Sequence, residues 1–283
     1  MATGRKSFTY DEFPEDPDDL PKEKYWGTID LYRWEGFWCR FYWHQAIIAA
    51  KSCFLAQDDD VILASPSKAG STWLKALIPS IMMSNNNTDD PLLENHPNDL
   101  MPSLEFEVFN INSNYNASNM ASSPRLFRTH IPYFALSDSI KKSGCKIVYI
   151  TRDPKDVFVS LWYFMNTKRK PDTDPYPSEE AFDSFCRGVH AYGPFHDHVL
   201  GYWNESLERP EKILFLRYEE MKKDPRKEVT KLASFLGRPF ANVDEVDEVL
   251  GRCSLERLKS LEMNKDGIDP WSELQGVLIS GVV

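Results

Sequence analysis

The 283-residue chain is predicted to be an α/β protein, a single domain with a central, mostly parallel β-sheet flanked by helices. Three short apolar runs support this prediction, because each is followed by a segment of helical character. They occupy residues 61–64, 146–150 and 212–216, and a further short segment at 125–130 ends before Pro132. Strands that alternate with helices favour parallel pairing, and continuous apolar runs indicate a sheet covered on both faces.

The N-terminal part contains two segments of different composition. Residues 1–24 hold three prolines and many acidic side chains, which is typical of a flexible or loosely docked leader. Residues 25–45 are rich in aromatic side chains. This arm either packs onto the core or walls a pocket for a flat hydrophobic ligand, and the sequence leaves both interpretations open.

The composition argues against several classes of function. Lys and Arg number 33 against 43 Asp and Glu, a formal net charge of −10, which disfavours nonspecific binding to nucleic acid or to an anionic membrane. A few local donors still suffice for a small anion. No apolar run approaches the roughly 20 residues that span a bilayer, and the polar N-terminus does not resemble a secretory signal. Five scattered cysteines without a C-x-x-C pair indicate reduced thiols, a cytoplasmic location and no metal site.

Residues 65–73 have the chemistry of a phosphate cradle between a strand and a helix. A helix is predicted from Ser71, because apolar residues recur every three or four positions as far as Ile81. Consecutive N–H groups, a helix N-terminus, hydroxyls and Lys68 suit an anion. The segment is not a Walker A loop, since Lys68 precedes Gly70. A serine-capped helix with a solvated lysine is an equally simple interpretation.

Residues 84–99 and 110–123, rich in Asn, Ser and Asp, are predicted to be loops or lids.

The same segment carries a family resemblance. Residues 67–73 read Ser-Lys-Ala-Gly-Ser-Thr-Trp and resemble the Pro-Lys-Ser-Gly-Thr-Thr-Trp loop of the cytosolic sulfotransferases, above all the flowering-plant soluble group. The resemblance runs from about residue 25 to about residue 265, and later motifs follow in the family's order. It implies a P-loop-like nucleotide-binding fold and 3′-phosphoadenosine 5′-phosphosulfate (PAPS) as co-substrate.

The resemblance also implies roles for the residues of this loop. Lys68 is expected to neutralise charge on the leaving phosphate–sulfate bridge. The 5′-phosphate is expected to bind the backbone or hydroxyl groups of Ala69, Gly70, Ser71, Thr72 and Trp73.

A second motif supplies a candidate base. Thr129-His130-Ile131-Pro132 is similar to the family's Thr-His-Leu-Pro element, in which the histidine takes the proton of the acceptor hydroxyl. An ordinary imidazole pKa of about 6.5 suits that role at neutral pH. A histidine that merely satisfies buried neighbours is the alternative interpretation.

A third motif follows the run at 146–150. By resemblance, Arg152 and Ser160 are expected to bind the 3′-phosphate, and Tyr218 is expected to lie near the adenine. The alternative is a capped helix whose charges face water.

The sequence departs from the family's pattern near its C-terminus. Leu255 stands where the family has an aromatic residue that stacks on adenine, which removes about 1–3 kcal/mol of stacking. Residues 266–283 contain no Arg or Lys, whereas the family has a basic element there that grips the 3′-phosphate. We therefore expect a domain at 25–265, an atypical tail at 266–283 and weakened donor binding. The abrupt change of character suggests a truncated or altered end.

The sequence thus predicts a sulfotransferase that acts on a hydroxyl of a small hydrophobic acceptor, phenolic, flavonoid or steroid-like. His130 and Lys68 are its expected catalytic residues. A catalytically impaired relative that binds a ligand or a partner is the alternative. A phosphotransferase built on the same strand–loop–helix unit is a weaker one. The sequence leaves the oligomeric state open.

Overall fold

Two separate sheets organise the part of the chain that the computed structural model describes, residues 19–83, 90–109, 124–170 and 172–261. The first sheet is antiparallel and consists of β1 (Lys22–Tyr25), β2 (Ile29–Trp34) and β3 (Phe37–Cys39). The second is parallel, as predicted, with β4 (Val61–Ala64), β5 (Leu126–Thr129), β6 (Lys146–Thr151) and β7 (Ile213–Arg217) in the order β5-β4-β6-β7.

The register of the parallel sheet brings the ends of its strands to one edge. Ala64, the last residue of β4, lies opposite Thr129 of β5 and Tyr149 of β6. The segments that follow these strands, which begin at Ser65, His130 and Arg152, therefore leave the sheet on the same side. In open α/β sheets this carboxyl edge is where ligands bind.

Helices cover both faces of the parallel sheet. Along β4 the side chains alternate: Val61 and Leu63 join one buried apolar cluster, and Ile62 and Ala64 join the other. Apolar side chains therefore occupy both faces, which explains the unbroken apolar sequence of the strand. The helices are α1 (Phe41–Cys53), α2 (Ser71–Met83), α3 (Pro97–Leu100), α4 (Asp138–Lys142), α5 (Pro154–Asn166), α6 (Ser178–Cys186), α7 (Phe195–Glu208), α8 (Tyr218–Lys223), α9 (Pro225–Phe235), α10 (Val243–Arg252) and α11 (Leu255–Ser260).

The aromatic arm is a small sheet followed by the start of α1, which the sequence did not reveal. Its turns use left-handed backbone at Trp26 (φ 53°) and Glu35 (φ 47°), each followed by a glycine. Tyr25, Trp26 and other side chains of this sheet form a third buried cluster with residues of α5 and α6. β1 begins at Lys22, inside the segment expected to be a leader, while residues 1–18 lie outside the described part.

The segments expected to be loops are only partly so. Residues 90–95 are turns, but α3 begins at Pro97. Between the two segments, a π-helical turn spans Leu104–Val108. Residues 84–89 and 110–123 lie outside the described part. No helix among the described residues is long and apolar enough to cross a membrane.

Candidate active site

A cavity of about 440 Å³ opens at the carboxyl edge of the parallel sheet, and nine of the ten predicted site residues line it. They are Lys68, Gly70, Ser71, Thr72, Trp73, His130, Arg152, Ser160 and Tyr218. The tenth, Ala69, is fully buried, and its N–H lies 3.4 Å from the carbonyl oxygen of Pro66. The segments that the resemblance connected therefore meet in one place.

The turn after β4 requires glycine at position 70. Its φ is +106°, and a Cβ built there would lie 2.6 Å from Cδ2 of Tyr218. The turn thus packs tightly against the first residue of α8. The N–H of Trp73 donates to the carbonyl of Gly70 (3.2 Å), so one of the expected phosphate donors is engaged within the turn in this structure.

Lys68 directs its ammonium toward an aromatic ring in the cavity. The residue has left-handed backbone (φ 65°), and Nζ lies 4.3 Å from the centroid of the Phe164 ring on α5. A cation–π contact of this kind holds the charge in the cavity without neutralising it.

The hydrogen bonding of His130 determines its tautomer. Nδ1 lies 2.7 Å from the carbonyl oxygen of Ser65, and a carbonyl can only accept, so Nδ1 carries the proton. In the neutral ring Nε2 is therefore the nitrogen with the lone pair. This is the arrangement that a general base requires.

Burial lowers the pKa of His130 to about 3, and the nearby cations Arg128 and Lys75 act in the same direction. The expectation of an ordinary imidazole pKa is therefore wrong. The ring is neutral throughout the physiological pH range, which keeps it in the form that accepts a proton. Its low basicity means that a bound anion must help to stabilise the imidazolium.

A fully buried carboxylate supports the backbone of His130. Glu105, in the π-helical turn, accepts from the His130 N–H (2.7 Å) and from the Thr129 hydroxyl (2.9 Å). On the other side, His198 Nε2 donates to the His130 carbonyl (2.9 Å), while its Nδ1 accepts from the Tyr149 hydroxyl (2.9 Å). The backbone of His130 is thus held from two sides, by groups whose proximity no sequence pattern indicates.

Arg152 and Tyr218 form a second unit in the cavity wall. The guanidinium carbon of Arg152 lies 4.7 Å from the centroid of the Tyr218 ring, and its NH2 group lies 3.1 Å from the carboxylate of Asp156. Ser160, two turns into α5, lines the same space. An arginine with a hydroxyl beside it is a suitable arrangement for a phosphate.

Sequence reasoning missed five polar residues of the cavity wall: Arg40, Lys75, Asn98, Arg128 and Lys222. Lys75 Nζ donates to Asn98 Oδ1 at 2.5 Å, and Arg128 pairs with Glu107 at 2.8 Å. Arg128 could have been found, because residues two apart on a strand share a face. The others come from segments whose contact with the cavity depends on the tertiary fold.

The cavity is strongly cationic in an acidic protein. Six Lys and Arg side chains line it, and none of the described lining residues is Asp or Glu. The negative net charge of the chain therefore coexists with a local site for anions.

Leu255 lies in the wall beside Ser254, whereas residues 262–283, including the atypical tail, lie outside the described part. Among the described residues, no group of three His, Cys, Asp or Glu could hold a metal ion.

The comparisons with known proteins agree with this geometry. The family model described as "Sulfotransferase domain" matches residues 58–275, and the chain therefore belongs to the sulfotransferase family. Its relatives include soluble plant enzymes. It is 42% identical over 264 residues to cytosolic sulfotransferase 15 of Arabidopsis thaliana, covering 90% of this chain and 73% of the relative. It is also 42% identical to cytosolic sulfotransferase 5 of the same plant, and that match covers 88% of this chain and 79% of the relative.

Solved structures show the same fold. A candidate steroid sulphotransferase from Arabidopsis thaliana superposes with a TM-score of 0.74 at 40% identity, covering 86% of this chain and 84% of that one. The mouse sulfotransferase SULT7A1, complexed with PAP, superposes with a TM-score of 0.67 at 26% identity, covering 89% of this chain and 85% of that one. The chain is a sulfotransferase, an enzyme that transfers a sulfuryl group.

Proposed function

We propose that this sulfotransferase transfers the sulfuryl group of PAPS to a hydroxyl of a small hydrophobic acceptor, in the cytoplasm that its relatives' names specify. PAPS is supported by the PAP bound to a related mouse enzyme and by the cationic cavity. The observation that carries the proposal is that Lys68, His130 and Arg152 line one cavity, although they lie on three separate strand ends.

The cavity has a donor end and an acceptor end. The donor end comprises residues 70–73, Arg152, Ser160, Tyr218, Lys222 and the wall around Leu255. We assign the 3′-phosphate to Arg152 and Ser160, the adenine to the neighbourhood of Tyr218 and the 5′-phosphate to the turn at residues 69–73. Helix α2 begins at Ser71, so its N-terminal N–H groups and partial positive charge favour that phosphate.

The acceptor end is mainly apolar. It comprises Tyr25, Leu31, Arg40, Trp43, Leu161, Phe164, Met165 and Ala191, contributed mainly by the small sheet, α1 and α5. Most of these side chains belong to, or pack against, the cluster of the small sheet and the cluster that contains Ile62 and Ala64. The donor end borders the cluster that contains Val61 and Leu63. Such a wall favours a hydrophobic acceptor.

The transfer itself is a displacement at sulfur. The acceptor oxygen forms a bond to sulfur while the bond from sulfur to the bridging oxygen breaks, and PAP leaves with that electron pair. His130 Nε2 takes the acceptor proton. Lys68 neutralises the negative charge that develops on the bridging oxygen. The anionic sulfuryl group beside His130 stabilises the imidazolium, which offsets the lowering of the His130 pKa by burial.

The test is transfer of label from sulfur-labelled PAPS to a panel of phenols, flavonoids and steroids. We expect Lys68→Ala to lower kcat about 100- to 1,000-fold and His130→Ala to lower it about 100- to 10,000-fold. Lys155→Ala and His196→Ala, at exposed positions, serve as matched controls. Donor binding without transfer to any acceptor would contradict the proposal and favour an impaired relative. Labelled ATP as the sole active donor would indicate a phosphotransferase.

A further inference from the structure

One wall of the cavity contains buried polar groups that have no role in the proposed transfer. Lys75 of α2, Asn98 of α3 and Arg128 of β5 line it, and each is more than nine-tenths buried. Leu126, two residues before Arg128 on the same face of β5, packs into the apolar cluster to which α2 contributes. Because side chains alternate along a strand, Arg128 extends toward α2 as well.

His96 is connected to the same wall. Its Nδ1 accepts from the N–H of Asn98 (3.0 Å), so in the neutral ring the proton is on Nε2. Burial lowers the pKa of His96 to about 4, and the charges of Lys75 and Arg128 act in the same direction, so the ring is neutral and lies near both cations. Asn98 Oδ1 in turn accepts from Lys75 Nζ (2.5 Å). We call His96, Lys75, Asn98 and Arg128 the α2–α3 wall.

Two N–H donors of the α2–α3 wall have no acceptor in the protein. Arg128 Nε and His96 Nε2 are both buried, and neither has a hydrogen-bond partner among the described residues. Glu107 pairs with a different nitrogen of Arg128, the NH2 group, at 2.8 Å. Buried N–H groups without an acceptor are unfavourable and therefore rare. Two of them in one cluster indicate that a ligand supplies the acceptor.

The carboxylates near this wall do not serve these donors. Glu107, Asp99 and Glu105 interact electrostatically with Arg128. Glu105 accepts instead from the His130 N–H, and Asp99 is exposed. The two donors are thus left for a group that enters from the cavity.

A small anion suits the α2–α3 wall better than water does. The side chains of Lys75 and Arg128 and the Nε2–H of His96 can only donate, whereas a water molecule also needs acceptors for its own two protons. An anion only accepts. Two buried cations attract it strongly, because the surroundings screen their charge less than water would.

We propose that the α2–α3 wall is a binding site for a small inorganic anion, chloride, held by Arg128 Nε, His96 Nε2 and the Lys75 ammonium. The inference goes beyond the proposed function, because this anion is neither donor nor acceptor of the sulfuryl group. It also has a consequence for the base. Arg128 and Lys75 both lower the pKa of His130, so an anion bound beside them raises that pKa and makes the imidazole a stronger base.

The test measures chloride binding to the chain saturated with PAP, so that the phosphate sites of the donor are occupied. Sodium chloride is compared with sodium gluconate at constant ionic strength. We expect the chloride NMR line to broaden and Tm to be higher in chloride, because the anion binds the folded chain. Arg128→Gln should weaken chloride binding about 10- to 100-fold. His96→Asn should weaken it about tenfold, since asparagine keeps the cap of α3 but lacks the Nε2–H.

Arg33→Gln is the matched control. It removes an exposed arginine of β2 and should leave chloride binding unchanged. Retained binding of PAP shows that a variant is folded, and His96→Asn carries the test if Arg128→Gln does not fold. In transfer assays chloride should raise kcat of the unaltered enzyme about two- to tenfold over gluconate, as expected for a pKa of the base raised by up to about one unit.

Three results would overturn the inference. The first is an absence of line broadening, which would mean that water satisfies the two donors. The second is unchanged chloride binding in both Arg128→Gln and His96→Asn. The third is displacement of chloride by PAPS but not by PAP, which would assign the α2–α3 wall to the sulfuryl group. Equal kcat in the two salts would refute the effect on His130.

The binding measurement also separates this inference from the proposed function. Chloride binding that depends on Arg128, without transfer to any acceptor, would support the inference and contradict the proposed function. Transfer from PAPS without chloride binding would do the reverse.

Discussion

The two ends of the cavity that we assign to the donor and to the acceptor are built in different ways. The donor end consists mainly of segments that follow β4, β6 and β7, and the polar groups on these segments lie within nine residues of a strand end. The acceptor end is assembled from β1, β2, the start of α1, the middle of α5 and residue 191, which are far apart in the sequence. The first is therefore fixed by the parallel sheet, and the second depends on how separate elements pack.

Because of this difference, substitutions at the two ends are expected to have different consequences. A donor with several anionic groups needs donors and cations at fixed positions, and strand ends provide them with little freedom. The acceptor walls are side chains on packed elements, so substitutions there can alter specificity while the donor site stays intact. We therefore expect variants at the two ends to have separate kinetic effects. Two variants test that expectation, and a third tests the stability of the fold in acid.

The largest effect is expected at the junction of the two ends. Glu105→Ala removes the acceptor of the His130 N–H and the Thr129 hydroxyl, so the base loses its support. We expect kcat to fall about 100-fold, with the dissociation constants of PAP and of the acceptor nearly unchanged. Glu105→Gln should be intermediate, because its amide oxygen can accept one of the two hydrogen bonds. Single-turnover kinetics measures the rate of transfer, and calorimetry measures the dissociation constants of PAP and of the acceptor. Weakened binding of PAP would contradict the expected separation of the two ends.

A smaller effect is expected at the donor end. Gly70→Ala places a Cβ against the Tyr218 ring, which itself lies beneath Arg152. We expect PAP to bind about tenfold more weakly, equivalent to about 1.4 kcal/mol of strain, with the affinity for acceptor unchanged. Gly237→Ala is the matched control, because Gly237 also has a positive φ (+74°) but has no atom within 4 Å of the added Cβ. Equal losses in both variants would show that the contact with Tyr218 is irrelevant.

The smallest effect is expected in the stability of the fold at acid pH, and it involves His198, which donates to the His130 carbonyl. Burial lowers the pKa of His198 to about 4, below its unfolded value of about 6.5, so the unfolded chain binds more protons in this interval. Stability therefore falls as the pH drops from about 6.5 toward 4. His198 alone should account for about 1 kcal/mol between pH 6.5 and 5.5. Urea unfolding of the native chain and of His198→Gln at both pH values measures the contribution of His198. An equal change in the free energy of unfolding between the two pH values in both proteins would refute the prediction.

The sequence was most informative where chemistry and a strand end coincide. Lys68, His130, Arg152 and Tyr218 each lie no more than four residues after the end of a strand, and parallel pairing brings such positions together whatever the details of packing. For the same reason the parallel sheet itself was predictable. The resemblance supplied the roles of these residues, which position alone left open.

The small antiparallel sheet and the support of the base were not predictable in this way. β1 and β3 have four and three residues, too few for a clear alternating pattern. Glu105 lies in a π-helical turn 25 residues before His130, and their contact exists only because β5 passes beside that turn. The ordinary pKa expected for His130 failed because burial is a property of the whole fold.

The amino-acid sequence by itself determined the parallel sheet, the turn with its glycine at position 70, and the anion-binding groups at the strand ends, because these depend on local pattern and on contiguous residues. The tertiary structure decided the protonation state of His130, its carboxylate support and the placement of Arg40 in the acceptor end. Burial and long-range contacts set those properties, and neither is encoded in any short stretch of the chain.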